Sequence, residues 1–246
     1  MKTYYHAFMM CQSMFSIIPS PGNIWNGKAR DKMLLFLPVI GLEIGLIWAA
    51  LAWCCDLLRL PMLVKGLLLS VYPYLITGFI HLDGYMDVTD AVRSYRSLER
   101  RREILKDSHV GAFAVIGIVL LLLAQFAFMA SAKESANVWI LIFVPAVSRC
   151  CSALAVTSLK PMDTSQYADQ KRPKSHRVIL LAMTALFVAA GFLVGGSYGV
   201  VLLGCLAGYG VALRKAYKSL DGMNGDISGY ALSIAELWAV AVYALL

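Results

Sequence analysis

This sequence has few charged residues, and its cysteines lack the spacing of a metal site or a disulfide framework. Asp, Glu, Lys and Arg together make up 15% of the 246 residues, whereas about 25% is usual in soluble domains. None of the six cysteines forms a C-x-x-C spacing, and the side chains of the two adjacent pairs diverge on a helix. These shortages argue against a water-soluble globular fold, a cysteine metal site and a disulfide framework.

Basic residues exceed acidic ones, but their distribution along the chain is not that of a nucleic-acid-binding protein. The chain has 22 Lys and Arg against 15 Asp and Glu, a net charge of +7. The basic residues cluster between apolar runs and do not alternate with exposed aromatic residues. We therefore expect no nucleic-acid partner and interpret the basic residues as membrane topology signals.

Apolar residues dominate the composition, at 59% with a mean hydropathy of +0.68. Several runs reach roughly 20 residues, enough to cross a hydrocarbon core about 30 Å thick. They lack the alternation of barrel strands. We predict an all-α, polytopic integral membrane helical bundle that forms a single domain over residues 1–246. Its roughly seven transmembrane helices are expected at about 33–58, 62–80, 110–130, 138–159, 178–194, 198–213 and 227–246.

The first stretch, residues 1–20, has no A-x-A site and is interrupted by polar residues. We expect an interfacial helix here and not a cleaved signal peptide. With the N-terminus in the cytoplasm, only Arg59, Lys65 and Lys133 fall on the outer side, apart from Arg149 within a span. This bias predicts a multi-pass protein of the cell (inner) membrane. Three working loops should then face the cytoplasm, at 81–109, 160–177 and 214–226.

The segment HLDGYMDVTDAVRSYR carries three aspartates at helical spacing. Asp83, Asp87 and Asp90 stand at i, i+4 and i+7, which places them on one helix face. Carboxylates this close repel one another unless a cation lies among them, and ligand sets of oxygen alone suit Mg²⁺. The alternative is a solvated helix face on which the carboxylates meet Arg93 and Arg96.

The segment LKDSHVGAF leads into the predicted third span. Lys106 is suited to bind phosphate as a point charge, and Ser108 can donate to phosphate oxygens near a helix start. The alternative is an ordinary helix start capped by Asp107 or Ser108.

The segment LDGMNGDISGY precedes the last span. Asp221, Asn224 and Asp226 offer oxygen ligands facing the same compartment as the first cluster. Asp226 is equally compatible with a simple helix N-cap. Two histidines, His81 and His109, flank the acidic segments and can act either as proton shuttles or as hydrogen-bonded structural residues.

Three charged residues fall inside the predicted spans. Glu43, Arg149 and Glu236 share a depth of roughly 15 Å from the cytoplasmic side. Because an unpaired charge is costly in a membrane, we predict that Arg149 pairs with Glu43, Glu236 or both. The pairing would act as a buried clamp or as the floor of a substrate cavity.

As a set, the sequence motifs resemble the cobalamin synthase (adenosylcobinamide-GDP ribazoletransferase) family. The resemblance covers nearly the whole chain and rests on FSIIP, LPVIGLEIG, GFIHLDGYMDVTDA, LKDSHVGAF and NGDISGYALSIAEL. It implies a membrane-bound transferase that joins GDP-activated adenosylcobinamide to α-ribazole or its 5′-phosphate, releases GMP and requires Mg²⁺. Its partners would be these substrates and the lipid bilayer, with an oligomer or other cobalamin-biosynthesis enzymes left open.

Residue roles follow from combining this resemblance with the chemistry of a diphosphate attacked by a hydroxyl group. We expect Asp83, Asp87 and Asp226 to hold Mg²⁺. Lys106 and Arg93 would balance phosphate charge. Asp90 or His81 would accept a proton. The residues expected to bind substrate are Arg93, Arg96, Ser108, Asn224 and Asp221. The alternatives are another membrane diphosphate-using transferase (CDP-alcohol phosphotransferase or prenyltransferase) and a transporter.

Overall fold

The computed structural model describes residues 2–20, 26–163, 165–167, 169 and 173–246. Lys171 and Arg172, which belong to the predicted loop 160–177, lie outside the described residues. The described part is helical apart from its connections and an isolated bridge between Pro161 and Met223, which confirms the all-α prediction. The helices are α1 (Lys2–Phe15), α2 (Gly27–Met33), α3 (Leu37–Leu57), α4 (Met62–Ile76), α5 (Ile80–Arg93), α6 (Leu98–Ile104), α7 (Ala112–Ser131), α8 (Phe143–Ser158), α9 (Lys174–Gly195), α10 (Val200–Leu220) and α11 (Gly225–Leu245).

Several helical stretches are long and apolar enough to cross a membrane. Among the described residues there are five, or six if the bent pair α4 and α5 forms one span. The five are 37–57, 112–131, 138–158, 174–220 and 225–245. The protein is therefore a multi-pass membrane protein.

The stretch 174–220 comprises two helices, α9 and α10. Its 47 residues would extend about 70 Å as one helix, more than twice the thickness of a hydrocarbon core. Gly196 adopts a left-handed backbone, with φ of 58°, which only glycine adopts readily. The helix breaks there, near the boundary that the sequence predicts at 195–198.

Contacts along α8 show that α9 runs antiparallel to it. Near the C-terminus of α8, the Thr157 carbonyl accepts a hydrogen bond from Arg177 Nε at 3.1 Å. Beyond the N-terminus of α8, Gly195 at the other end of α9 packs against Ile140.

Helix α10 runs parallel to α8 and therefore antiparallel to α9. Cys205 lies 3.9 Å from the Val144 carbonyl at the start of α8. Past the ends of both helices, the Met223 amide donates to the Lys160 carbonyl at 2.9 Å. The segment Gly196–Gly199 is thus the turn of a helical hairpin.

The predicted second span, 62–80, is wrong at its C-terminal end. Helix α4 ends at Ile76, Gly78 and Phe79 both have positive φ, and α5 turns by 89° from α4. Helix α5 packs between α11 and α7. The acidic segment is therefore part of the helical bundle and not of a loop over 81–109.

The predicted loop 214–226 is also wrong, because α10 continues to Leu220. Only a short turn connects α10 to α11. The last carbonyls of α10 accept hydrogen bonds from α6: Arg101 donates to Ser219 at 3.3 Å and Arg102 to Leu220 at 3.0 Å. Basic side chains at a helix C-terminus satisfy the carbonyls that have no partner within the helix.

The predicted ion pair inside the bundle is confirmed between Arg149 of α8 and Glu236 of α11. The Nη1 and Oε1 atoms are 2.7 Å apart, and both residues are buried. Ser148 also donates to Glu236, at 2.9 Å. Glu43 instead accepts a hydrogen bond from Gln12 of α1 at 3.3 Å. The enclosed contact between two helices supports the clamp interpretation.

Helix α1 contributes a packed face to the bundle. Met10, Cys11 and Phe15 are buried, and the Phe15 ring stacks on His81 of α5 with a centroid distance of 6.2 Å. The C-terminal end of α1 therefore reaches the acidic segment. Its predicted position at the membrane interface stays a prediction.

Candidate active site

Helices α5 and α11 cross closely because glycine occupies the contact points. A Cβ added at Gly84 would lie 2.8 Å from the Asp226 Cα, and one added at Gly229 would lie 3.2 Å from the His81 Cα. The backbones can approach only without these side chains. The crossing brings the segment that carries Asp83, Asp87 and Asp90 against the segment that carries Asp226.

The carboxylates at this crossing form one negatively charged group, which we name the acidic cluster: Asp83, Asp87, Asp90 and Asp226. Asp87 is partly buried, and the carboxylates of Asp83, Asp226 and Asp90 repel its own. None of the salt bridges between described residues involves any of the four. The protein therefore gathers these charges without neutralising them through ion pairs in the described part of the chain.

The acidic cluster is not a complete set of metal ligands. Within the described ranges, no group of three or more His, Cys, Asp or Glu side chains is arranged to hold a metal ion. A site that shares its ligands with a substrate does not need one, because Mg²⁺ usually binds one or two carboxylates, waters and phosphate oxygens.

Asn224 is the N-cap of α11 and orients Asp226. Its Oδ1 accepts a hydrogen bond from the Ile227 amide at 2.9 Å, and its Nδ2 donates to the Asp226 carboxylate at 2.6 Å. The interpretation of Asp226 as a simple N-cap is therefore wrong. The carboxylate lies in the first turn of α11, where the helix dipole favours a negative charge.

A cavity of about 680 Å³ opens beside Asp226. We name it the basic cavity after Arg102 and Lys106. Two carboxylates, Asp163 and Asp226, and the amide of Asn224 line it as well. Three of the predicted site residues, Lys106, Asn224 and Asp226, thus share one space. Cations beside carboxylates suit a phosphate group bound through a metal ion on one side and directly on the other.

Asp90 lies at the edge of the acidic cluster. Its carboxylate contacts Gly111 at the start of α7. It lines a separate cavity of about 460 Å³, together with Arg96 and Arg100. The structure therefore places Asp90 and Arg96 together, apart from Lys106, while Arg93 is exposed at the end of α5.

The alternative interpretation of this segment, a helix capped by Asp107 or Ser108, is wrong. Helix α7 begins at Ala112 with Gly111 as its N-cap. Ser108 is exposed in the preceding loop. His109 is also exposed, and its backbone and ring nitrogens are within hydrogen-bond distance of Asp107. These hydrogen bonds hold the pKa of Asp107 below its usual value.

Asp221 has a structural partner. It adopts a left-handed backbone at the end of α10, and its carbonyl accepts a hydrogen bond from Arg102 at 2.6 Å. Its exposed carboxylate lies 3.5 Å from the same guanidinium group. The contact fastens α6 to α10, and substrate binding by Asp221 stays a prediction.

A third, smaller cavity was missed by the sequence reasoning. Its volume is about 90 Å³, and we name it the inner pocket. Its polar lining residues include His81, Asp83, Ser152, Asp226 and Ser228, and its apolar lining residues include Phe15, Leu34, Leu37, Ile80 and Val156. The two serines interact through their hydroxyl groups, although they come from α8 and α11. The sequence signal was faint: two serines inside apolar spans.

The fold and this end of the bundle define a class of protein. It is a polytopic helical membrane protein in which carboxylates and cationic side chains line cavities at one end of the bundle, an arrangement suited to reactions of phosphate groups.

Comparison with known proteins gives the family. The chain belongs to the cobalamin-5-phosphate synthase family, whose profile matches residues 7–244. It is 34% identical to the adenosylcobinamide-GDP ribazoletransferase of Clostridium perfringens (strain 13) over 100% of both chains. Proteins of the same name from Clostridium botulinum (strain Alaska E43) and Clostridioides difficile (strain 630) are 33% and 27% identical, over 96% and 97% of both chains. No solved structure matches significantly. The resemblance seen in the sequence motifs is thus confirmed.

Proposed function

We propose that this protein joins GDP-activated adenosylcobinamide to α-ribazole or its 5′-phosphate and releases GMP. Family membership over residues 7–244 supports this activity. The observation that carries it is the close crossing of α5 and α11 at Gly84. It gathers the acidic cluster beside the basic cavity, as a reaction on a diphosphate requires.

The proposed reaction is a substitution at phosphorus. A ribose hydroxyl of the acceptor attacks the phosphorus on the corrinoid side of the diphosphate, and a new P–O bond forms. The P–O bond to GMP breaks, and GMP leaves with the electron pair. Lys106 and Arg102 in the basic cavity face the phosphate charge that accumulates on the leaving group.

We propose Mg²⁺ as the cofactor, held by Asp83, Asp87 and Asp226. The ligands are all oxygen atoms, and the repulsion that Asp87 experiences from its neighbours is relieved by a divalent cation. Bound Mg²⁺ supplies charge neutralisation on the diphosphate. Asn224 contributes indirectly, because its hydrogen bond orients Asp226.

The proton of the attacking hydroxyl passes to His81 or Asp90 in this proposal. The position of His81 supports the histidine, because it lines the inner pocket with Asp83 and Asp226. Asp90 lines the separate cavity with Arg96 and Arg100.

The proposed location is the inner membrane, with the active site on the cytoplasmic side. Basic segments assemble at the acidic cluster: α6 binds the end of α10, and the Met223 amide donates to Lys160. Lys65 and Arg59 lie near the opposite end of the bundle, where Lys65 pairs with Asp56. The positive-inside rule favours the first end as cytoplasmic. Counting α4 and α5 as one broken span, and α9 and α10 as two, supports seven spans.

Product analysis in liposomes tests the function. With the GDP-activated corrinoid, α-ribazole and Mg²⁺, we expect equal amounts of GMP and of a cobalamin product. Chelation with EDTA should abolish both, and added Mg²⁺ should restore them. Solute uptake without bond cleavage would instead indicate a transporter. Turnover of a CDP-alcohol or prenyl diphosphate, but not of the corrinoid, would indicate another transferase.

A further inference from the structure

His81, which lines the inner pocket, carries a buried polar atom without a partner among the described residues. His81 is only 8% exposed, and its Nε2 has no hydrogen-bond partner among the described residues. Leaving such an atom unsatisfied is costly, so it ordinarily faces a bound water or ligand. The inner pocket is the cavity that His81 lines.

The orientation of His81 is fixed by its surroundings. Phe15 stacks on the ring, with an angle of 14° between the planes. Ser233 donates a hydrogen bond to the His81 backbone carbonyl at 3.3 Å, and Gly229 allows the close approach of α11. The imidazole is thus held in place, as expected of a group that positions a ligand.

The walls of the inner pocket differ in polarity. One group of residues is apolar and includes Phe15 and Leu37, whereas the other carries the imidazole of His81 and the hydroxyl groups of Ser152 and Ser228. A ribose has the same two parts, carbon atoms for the apolar wall and hydroxyl groups for the polar wall.

The sizes of the two cavities separate the substrates. The inner pocket, at about 90 Å³, is below the roughly 300–1,000 Å³ of sites for whole drug-sized ligands. It is too small for a corrinoid and leaves room only for a small group. The basic cavity, at about 680 Å³, has the volume and the cations for a diphosphate. Asp226 lines both cavities.

We propose that the inner pocket binds the ribose of the nucleoside acceptor, with His81 Nε2 and the Ser152–Ser228 hydroxyl pair as its hydrogen-bond partners. The diphosphate donor enters through the basic cavity, and the two substrates meet at Asp226. Separate entry suits a displacement in which the attacking and leaving oxygens lie on opposite sides of the phosphorus. The inference rests on the proposed function, which supplies the identity of the two substrates.

The test compares matched serine substitutions on α8. Ser152→Ala removes a hydroxyl group from the inner pocket, whereas Ser158→Ala makes the same change at an exposed position on the same helix. We expect Ser152→Ala to raise the KM for α-ribazole about tenfold, the effect of one lost hydrogen bond. The KM for the GDP-activated corrinoid should stay within about twofold of the wild-type value, and Ser158→Ala should change neither constant.

Two further variants extend the test. His81→Asn should also weaken α-ribazole binding, measured by calorimetry on the detergent-solubilised protein without the donor. Lys106→Met should show the reverse pattern, a higher KM for the corrinoid nucleotide alone. Size-exclusion profiles verify folding. If His81→Asn does not fold, the α-ribazole KM of Ser152→Ala alone tests the assignment of the inner pocket.

The outcomes separate the two proposals. Wild-type GMP release together with unchanged α-ribazole constants in Ser152→Ala would overturn the pocket assignment and leave the function standing. The inner pocket would then hold water only. A raised KM for the corrinoid nucleotide in Ser152→Ala would also overturn it. Absence of GMP release from the wild-type protein would overturn the function itself.

Discussion

Two groups of charged side chains lie in the bundle, and they differ in whether the protein neutralises them. Arg149 and Glu236 form a buried ion pair at 2.7 Å, supported by Ser148. The acidic cluster contains only like charges, and no salt bridge among the described residues involves it. Helix α11 contributes to both groups, through Glu236 and Asp226.

The difference follows from burial, since Arg149 and Glu236 are enclosed by the bundle. A charge in the bilayer interior must be compensated by the fold itself, because no solvent or ligand reaches it. Charges at the end of the bundle are accessible to a cation and to phosphate groups. Pairing within the protein therefore separates the charges that hold the fold together from those available for chemistry.

Removing one partner of the buried pair should have the largest effect. Arg149→Leu leaves Glu236 without its counter-charge, which should cost about 3–5 kcal/mol of stability. We expect poor expression and a lower melting temperature in detergent. The control is Arg214→Leu, which changes an exposed arginine of α10.

A second variant tests whether the cost comes from the unpaired charge. Arg149→Leu combined with Glu236→Leu should recover much of the stability, because no buried charge remains. An unchanged melting temperature for Arg149→Leu alone would contradict the clamp interpretation.

Neutralising one carboxylate of the acidic cluster should impair chemistry and spare the fold. Asp87→Asn keeps the shape of the side chain but weakens the proposed Mg²⁺ site. We expect GMP release to fall on the order of 10²–10³-fold. The melting temperature without Mg²⁺ should stay equal or rise, because one repelling charge is removed. The control is Glu134→Gln, at an exposed position near Arg59 and Lys65 at the other end of the bundle. Substantial turnover by Asp87→Asn would argue decisively against the proposed metal ligands.

Much of the arrangement was predictable because it is local in the sequence. The spacing of Asp83, Asp87 and Asp90 indicated one helix face, and α5 is a helix across all three. The cost of a charge in the membrane predicted a partner for Arg149. Hydropathy located the apolar spans, since their length is set by the thickness of the bilayer.

The bend before α5 was not predictable from local patterns. Phe79 has a φ of 63°, although its side chain carries no preference for the left-handed region. Packing of α5 against α7 and α11 must compensate for this conformation. Similarly, the last carbonyls of α10 accept hydrogen bonds from Arg101 and Arg102 of α6, which are distant in sequence.

The inner pocket was hidden for the same reason. Phe15, His81, Ser152 and Ser228 come from four different helices. No spacing in one sequence relates them, since their contact depends on how the helices cross. The crossing itself depends on Gly84 and Gly229, whose role appears only when the backbones are seen in contact.

The smallest expected effect is also the sharpest test of how the acidic cluster is held together. A Cβ at Gly84 would press on the Asp226 backbone, so Gly84→Ala should separate α5 from α11 at a cost of about 1–3 kcal/mol. We expect GMP release to fall about tenfold, because small displacements in an active site are amplified in the rate. Gly210→Ala, on the open side of α10 where a Cβ meets nothing within 4 Å, is the matched control and should be neutral or slightly stabilising.

The melting temperature of Gly84→Ala shows whether the substitution disturbs only the crossing of α5 and α11 or also the Arg149–Glu236 pair. If the variant keeps its melting temperature within the expected loss but releases GMP slowly, the geometry of the crossing limits the chemistry. Full activity would show that Asp83 and Asp87 work without close contact to Asp226. Like charges provide no attraction between the two helices, so packing must hold them together, and glycine permits the close approach that this packing needs.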